Sequence, residues 1–421
     1  MRGIKLKGYR KLTKDKEIIV FDKPKYVYIP LICSNSTDVD IKIRRGSHVK
    51  IGSVIATSLK NELPILSSVS GTVVDYVDKY VYNGSLIKTV KIENDFKDEY
   101  IEVSDIKDID KYTKKEFISI LKEFGIRGLG GADFPTYIKY DTNGIKNLII
   151  NAVECEPYTT ADYALLKDNI NELLETIDAI MTINKIPNAY LAIKKDKKEL
   201  IKKINEVIGI YPKIKLSIVP DMYPIGWEKN LVNYILHKNY DRLPLEVNTV
   251  VNNIYTIYSI HEALKYKRYM DSRIVTIVGD GLKKSRNVKV KIGQDLEEVL
   301  DKLGYKKKEL LLISGGPMMG CSIDSENLAI NINVNCVLIL KNTPDDIPSV
   351  CMRCGKCATI CPAKLSPALI KESLNDTKEL KKLNVDRCIE CGLCTYICPA
   401  KIMLRDSIIK AKKNVRDLKW I

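Results

Sequence analysis

Eight cysteines in two matching runs constrain this chain more than any other feature. The first run is Cys351-x2-Cys354-x2-Cys357-x3-Cys361-Pro362, and the second, Cys388-x2-Cys391-x2-Cys394-x3-Cys398-Pro399, repeats its spacing. This is the bacterial ferredoxin pattern written twice, and it predicts two [4Fe–4S] clusters. A short irregular loop with three thiolates holds three corners of one cubane. The fourth cysteine of each run, beside the proline that ends the loop, crosses to the other cluster. The expected ligand sets are Cys351, Cys354, Cys357 and Cys398 for one cluster, and Cys388, Cys391, Cys394 and Cys361 for the other. Zinc and disulfides are the competing readings. Zinc sites seldom repeat four cysteines at this spacing with a trailing proline, and no histidine lies within the stretch.

The chain has 421 residues, room for several domains with separate cores. Of its 12 cysteines, the four outside the repeat, Cys33, Cys155, Cys321 and Cys336, are scattered. Clusters plus scattered thiols fit a reducing compartment rather than a secreted disulfide framework. No apolar run reaches the roughly 18 residues that a membrane-spanning helix needs. The N-terminal stretch from Met1 to Lys14 lacks an apolar signal core, so a cytoplasmic protein is expected. The formal charge is +15, with Lys and Arg spread along the chain. Such a charge can attract a ferredoxin, an anionic membrane face or nucleic acid. No basic run is interleaved with aromatics, so a solvated basic surface is preferred and no nucleic-acid partner is expected.

Four modules follow one another. Residues 1–104 read as short β segments, with Gly46 and Gly52 at tight turns and a strand-turn-strand over Ser67 to Val74. They look like the barrel-sandwich of lipoyl and biotinyl carrier domains. Lys60 lies where a carrier places its modified lysine, but no modification motif surrounds it, so the module is read as structural or docking. Residues 105–268 read as an α/β domain. A helix from Lys114 to Glu123 leads into Gly125-Ile126-Arg127-Gly128-Leu129-Gly130-Gly131-Ala132-Asp133-Phe134-Pro135-Thr136. Its glycines expose backbone N–H groups and let the chain approach a ligand closely, and Lys139 downstream can neutralise a phosphate. Strands are expected at 146–153, 189–193, 214–219 and 247–253, and helices at 161–181 and 197–208. That alternation predicts a largely parallel sheet. Ligands bind such sheets at the carboxyl ends of strands, where Asn151, Glu154, Glu156, residues 221–228, Asn252 and Asn253 fall.

Residues 269–342 show strands at 274–278, 288–292, 310–314 and 330–340 and a helix at 296–303, a ββαββ order that suggests a β-grasp-like module. Gly315-Gly316-Pro317-Met318-Met319-Gly320 is a tight connection between its later strands. Residues 343–421 comprise a linker over 343–350 and an α-helical ferredoxin-type domain with two [4Fe–4S] sites, one of its helices starting at Ser366-Pro367. The fold class is thus a multidomain α/β chain with small β modules.

The glycine loop with Phe134-Pro135-Thr136 and Lys139, followed by Asn151-Ala152-Val153-Glu154-Cys155-Glu156-Pro157-Tyr158, resembles the flavin- and NADH-binding subunits of respiratory complex I. The order of the four modules, the Gly315–Gly320 connection and the doubled cysteine run are more similar to the RnfC family. Its members belong to the Rnf electron transport complex, an NADH:ferredoxin oxidoreductase coupled to an ion pump. The resemblance covers nearly the whole chain. It implies FMN over the glycine loop with NADH stacked on it. Gly128, Gly130, Gly131 and Lys139 are implied to cradle the FMN phosphate and ring, with hydrogen bonds from Asn151, Asn252 and Asn253. Phe134, Glu154 and Glu156 are implied to face the nicotinamide nucleotide, and Tyr223 to Glu228 to close the pocket. Amides and lysine suit phosphates, and carboxylates accept from ribose hydroxyls. A loop ion pair is the competing reading for Glu154 and Glu156.

The chain departs from the family pattern in places. Lys7-Gly8-Tyr9-Arg10 and Ile32-Cys33-Ser34-Asn35 replace Gly-Gly-x-His and Gln-His-x-Gly segments. Arg127 and Asp133 stand where small or apolar residues are usual, and Trp227 where glycine is. Ile254-Tyr255-Thr256 replaces a glycine-bearing turn. Asp133 is expected to repel a phosphate, with Arg127 offsetting it.

The implied function is that of an NADH-dependent flavo-iron–sulfur oxidoreductase subunit. NADH gives a hydride to FMN, and single electrons pass through the two clusters to a partner. No side-chain acid or nucleophile is required. The implied partners are membrane Rnf subunits and ultimately ferredoxin, with the chain peripheral on the cytoplasmic face of the membrane. Two alternatives are a soluble carrier of the same type serving proline reductase or cobalamin reduction, and a non-catalytic two-cluster module whose nucleotide site Asp133 and Trp227 close.

Overall fold

A computed structural model describes residues 2–103, 106–131, 133–305, 310–341 and 347–417. Ala132 of the glycine loop and the first part of the linker expected over 343–350 lie outside the described residues.

Near-continuous apolar strands build the central module. Strands Asn147–Asn151, Asn188–Lys194, Ile214–Val219 and Thr249–Asn253 all pair in parallel, as expected. Their spatial order is third, second, first, fourth. Alternation splits their side chains between two cores. Leu148, Ile150, Leu191, Ile193 and Val250 join the large core beneath helices Lys114–Glu123, Ile170–Asn184 and Ile254–Tyr266. Ile149, Ala192, Val219 and Val251 pack on the other face against Leu231 and Val232 of helix Glu228–Leu236. Both faces are covered, which explains the run of apolar residues inside these strands. The strand order reverses between Asn147–Asn151 and Thr249–Asn253. Asn151 and Asn253 stand opposite one another at the carboxyl ends of that pair. A crevice at such a switch point is where open α/β sheets bind ligands.

Two expected elements differ. The helix expected over 161–181 is two, Ala161–Asp168 and Ile170–Asn184. Asn169 breaks it by turning its Nδ2 back to the Leu165 carbonyl at 2.8 Å, a local bond that competes with the helical ladder. The strand expected over 330–340 is also two, Ala329–Ile330 and Cys336–Lys341. Between them the Asn331 Oδ1 accepts from Asn333 N, an Asx turn. Helix Ile254–Tyr266 has no expected counterpart. It is rich in Ile and Tyr, residue types that favour strands, but Asn253 caps it at Tyr255 N and nine of its 13 residues are buried.

The first and third modules interlock. Strand Ile19–Phe21 leaves the first module and pairs in parallel with Arg286–Lys291 of the third. In return, Gln294–Asp295 pairs with Tyr26–Pro30 of the barrel-sandwich sheet, and Ala329–Ile330 extends it. The divisions expected near 104 and 269 therefore separate stretches of sequence that share both sheets. Gly46 and Gly52 have φ of +83° and +90°, conformations that favour glycine at the expected turns.

The last module is built from short helices around the cysteine loops, closed by the longer helix Leu404–Asp417. The two halves repeat. Gly355 and Gly392, at φ of +71° and +76°, precede helices Lys356–Ile360 and Leu393–Tyr396, which carry Cys357 and Cys394. Among the described residues no helix is long and apolar enough to cross a membrane.

Candidate functional site

The glycine loop folds back on itself at the switch point. Gly128 N donates to Phe134 O at 2.8 Å, and Leu129 N to the Thr256 hydroxyl at 3.0 Å. A Cβ on Gly130 would stand 3.3 Å from that of Asn253, so glycine lets the loop lie against the strand end. Gly131 has a φ of +101° and open space where a Cβ would point, which leaves its backbone approachable. Lys139 comes to the same mouth on helix Thr136–Tyr140, packed at the carboxyl end of Thr249–Asn253. Its Nζ donates to Val251 O at 2.7 Å, 3.9 Å from the Glu228 carboxylate and 6.0 Å from the Phe134 ring centroid. Burial lowers its pKa, and Glu228 opposes the shift.

The three asparagines take different posts. Asn151 Nδ2 donates to Gly226 O at 2.9 Å and its Oδ1 accepts from Val153 N, so it ties the first strand end to the 223–228 loop. Asn253 caps the following helix and donates to Asp162 at 2.9 Å. Burial, then the nearby Glu154, pushes the Asp162 carboxyl up to about 6. Asn252 is turned beneath helix Thr136–Tyr140, where it donates to Tyr140. Its Oδ1 and the Thr136 hydroxyl are buried without partners. A largely buried Lys139 and the open backbone at Gly131, beside the strand ends, fit the phosphate of FMN, while the Asn252 Oδ1 and the Thr136 hydroxyl lie beneath the helix.

Glu154 and Glu156 do not stand together at the mouth. Glu154 accepts from Asp162 N at 2.8 Å and pairs with Lys197 at 3.5 Å, with both side chains buried. For Glu154 the ion pair thus takes the place of a ligand contact. Glu156 points the other way, into the third module, where its carboxylate accepts from Met318 N at 3.2 Å. Burial pushes Glu156 up to about 7. Tyr223, expected to close the pocket, is instead 2% exposed and donates to the Cys391 carbonyl at 2.7 Å. Arg10 figures in the sequence reading only as part of the divergent Lys7–Arg10 stretch, with no role assigned. It reaches the carbonyls of Glu154, Cys155 and Glu156 at 3.0–3.3 Å and so fixes this loop.

Asp133 does not face the cradle. Its carboxylate accepts from Ser34 N at 2.7 Å and pairs with Arg127 at 3.3 Å, both side chains being under 10% exposed. The repulsion expected of Asp133 is thus neutralised internally, and the pair clamps the glycine loop to the first module. Arg127→Met leaves a buried carboxylate uncompensated and is expected to cost about 3–5 kcal/mol. Urea unfolding of the flavin-free protein measures it, and Asp133→Asn in the same background is expected to restore part of the loss.

In the last module the thiols ring two cavities. Cys388, Cys391, Cys394 and Cys361 line one, and Cys351, Cys354, Cys357 and Cys398 line the other. Among the described residues no three such side chains converge as they would on a single metal ion. Four thiols spaced around a void suit a cubane better than one zinc. Burial pushes Cys391 and Cys394 up to about 12, so thiolates there need a cationic partner, which cluster iron supplies. Backbone amides of Glu390 and Leu365 donate to the Cys388 and Cys361 sulfurs. The Cys391 cavity faces inward, against Tyr223 and Met318. The other opens outward, with Cys354 exposed and Met352 60% exposed.

Three family models match parts of the chain. Residues 1–97 match the RnfC barrel sandwich hybrid domain, 121–262 the Nuo51 FMN-binding domain, and 348–402 the 4Fe-4S dicluster domain. FMN and [4Fe–4S] clusters are therefore the cofactors of these modules. A Clostridium ljungdahlii relative, the C component of the proton-translocating ferredoxin:NAD(+) oxidoreductase complex, is 33% identical over 381 residues, 87% of this chain and 82% of that protein. A Vibrio cholerae relative, the C component of the ion-translocating oxidoreductase complex, is 29% identical over 82% of this chain, which spans only 46% of that longer protein. The NAD+-reducing [NiFe]-hydrogenase in its H2-reduced state shares the fold, with a TM-score of 0.50 at 16% identity over 73% of this chain and 62% of its own. The chain belongs to the RnfC family.

Proposed function

We propose that this chain passes electrons between a nicotinamide nucleotide and a partner protein, as an NADH-linked flavo-iron–sulfur subunit. The observation that carries the reading is the short loop from Tyr223 to Gly226. At one end Gly226 O accepts from Asn151 of the cradle, and at the other Tyr223 donates to the backbone of Cys391. Flavin and clusters, when bound, supply the conversion of a two-electron hydride into single electrons. The chain's own residues bind and orient. Lys139 and the glycine loop from Gly128 to Gly131 hold the FMN phosphate. Asn151 and Asn253 fix the strand ends beside the ring, while Asn252 supports the helix that carries Lys139. Phe134 lies at the mouth as a surface for the nicotinamide nucleotide. Glu154 and Glu156 shape the floor rather than contact it. Cys388, Cys391, Cys394 and Cys361 hold the receiving cluster. Cys351, Cys354, Cys357 and Cys398 hold the outward one.

Around that outward cluster Ile347 and Val350 are 90% and 88% exposed, an apolar rim where a partner can exclude water. In the RnfC setting the partners are the other subunits of the membrane complex and, through them, ferredoxin. The chain then lies peripherally on the inner face of the membrane. The path serves either direction, since potentials set the flow. The third module, with its mixed sheet and single packed helix, serves as a β-grasp-like scaffold between cradle and clusters. The four-module division at 1–104, 105–268, 269–342 and 343–421 follows the same reading.

Two observations favour this over the alternatives. Asp133 is spent on Arg127 and Ser34, so it does not close the nucleotide site. The divergent stretches Lys7–Arg10 and Ile32–Asn35 turn inward onto the flavin module, through Tyr158 N to Gly8 O and through Ser34 N to Asp133. The test is the native protein's cofactor content together with pull-down from native membranes. One FMN per two four-iron clusters and recovery of integral subunits are expected. Iron without flavin sinks the proposal, and purely soluble partners move it to the carrier reading.

A further inference from the structure

We infer that Tyr223 is a positioning residue for electron passage, tying the flavin cradle to the Cys391 cluster at a spacing that Arg405 holds fixed. This rests on the functional reading above and adds the residues that make the junction.

Three modules meet at this point, and the N-terminal arm of the first lies against them. The central module contributes Glu156 and Tyr223, the third contributes the Met318–Gly320 turn, and the last contributes Cys391 and Gly392. Tyr223 is fully buried, and its hydroxyl donates to the Cys391 carbonyl at 2.7 Å. The backbone that carries the ring is fixed, because Tyr223 N donates to Ile4 O at 2.8 Å and its carbonyl accepts from Ile4 N of the N-terminal arm at 3.0 Å. On the other side, Gly392 abuts the third module so closely that a Cβ there would stand 2.4 Å from Met318 O. Gly316 makes room for the Glu156 carboxylate, which a Cβ would meet at 2.4 Å. Arg405 then straps the junction with one guanidinium. Its Nε donates to Glu390 O at 3.0 Å, Nη1 to Gly320 O at 3.0 Å and Nη2 to Met319 O at 2.7 Å. The planar fork suits three carbonyls from two modules, which a lysine cannot span.

A purely structural interface needs apolar packing and no particular hydrogen bond to a cluster ligand. Here the only polar side chain given to that ligand's backbone among the described residues is the phenol of the cradle's own loop. Groups just outside a metal's ligands tune it and hold its geometry, and their loss commonly lowers activity by about 10–100-fold. Hydrogen bonding near the sulfurs also shifts cluster potentials. Electron transfer weakens steeply with separation, so a junction that fixes spacing controls rate.

The experiment compares holo full-length protein with Tyr223→Phe and Arg405→Lys. Each is mixed anaerobically with NADH, and each is titrated potentiometrically by EPR under chemical reductants, which needs no NADH. With iron and flavin content as in the parent, cluster reduction relative to flavin bleaching is expected to fall about 10–100-fold in Tyr223→Phe. One cluster's midpoint shifts while the other's stays. Arg405→Lys is expected to slow cluster reduction in the same direction. Parent-like rates and potentials in both variants overturn the inference. Loss of iron in both also overturns it, because the contacts would then retain the cluster rather than position it. If only Tyr223→Phe loses iron, Arg405→Lys decides. Flavin that stays oxidised in the parent sinks the functional reading instead, and the EPR potentials still judge the junction.

Discussion

Cys391→Ala is expected to strip the inner cluster and to uncouple the last module from the flavin. Cys391 is 8% exposed and lies against Tyr223, Met318 and Leu393. The last module's core is small. Leu365, Ile370, Leu380, Val385 and Ile408 pack there directly around Cys361 and Cys394, with Cys351, Cys357, Cys388 and Cys398 at its edge. A domain of about 70 residues rarely draws more than roughly 3–5 kcal/mol from its core alone. Metal binding in such a domain is folding energy. Losing one ligand thus removes four irons and loosens residues 347–417 as well. Iron analysis should fall by at least half, and limited proteolysis should cut within the last module. FMN content should stay at one per chain, because the cradle shares no residue with that core, and NADH should still bleach it. Full iron content with an unchanged EPR spectrum contradicts the ligand assignment.

Lys139→Met is expected to weaken FMN binding by about 1.5–3 kcal/mol, roughly ten- to hundredfold. Methionine keeps most of the stem but removes the charge proposed to meet the phosphate. Burial lowers the Lys139 pKa in the flavin-free protein, with Glu228 its nearby counter-charge. A phosphate dianion favours the ammonium and raises that pKa on binding, so FMN binding takes up a proton. Affinity should then fall as pH rises through the lowered pKa of the free protein, and Lys139→Met should lose that dependence. Titration of FMN fluorescence measures both. Equal affinity in the variant places the phosphate elsewhere.

Much of this architecture is legible in local patterns. Cysteine spacing is set by a few adjacent residues, and the grouping expected from it recurs around the two cavities. The parallel sheet is legible because three of its four strands are apolar on both faces. Helix Ile254–Tyr266 was not, since a helix buried nearly all round can carry the β-branched and aromatic residues that otherwise signal a strand. The shared sheets were hidden for another reason. Pairing of Ile19 with Val288 joins residues far apart in sequence, and no local pattern encodes it. The glutamates show the same limit. Their place after a strand is readable, but that Glu154 meets Lys197 while Glu156 meets Met318 depends on how modules dock. Arg405 carries no motif at all, and Tyr223 was implied only to close the pocket, not to meet Cys391.

The most direct measurement is anaerobic rapid mixing of the holo protein with NADH, followed at flavin wavelengths and by freeze-quench EPR. The expected result is flavin bleaching first, then cluster signals that grow as the flavin gives up electrons. Flavin that stays oxidised under excess NADH contradicts the proposed path from nicotinamide nucleotide to clusters.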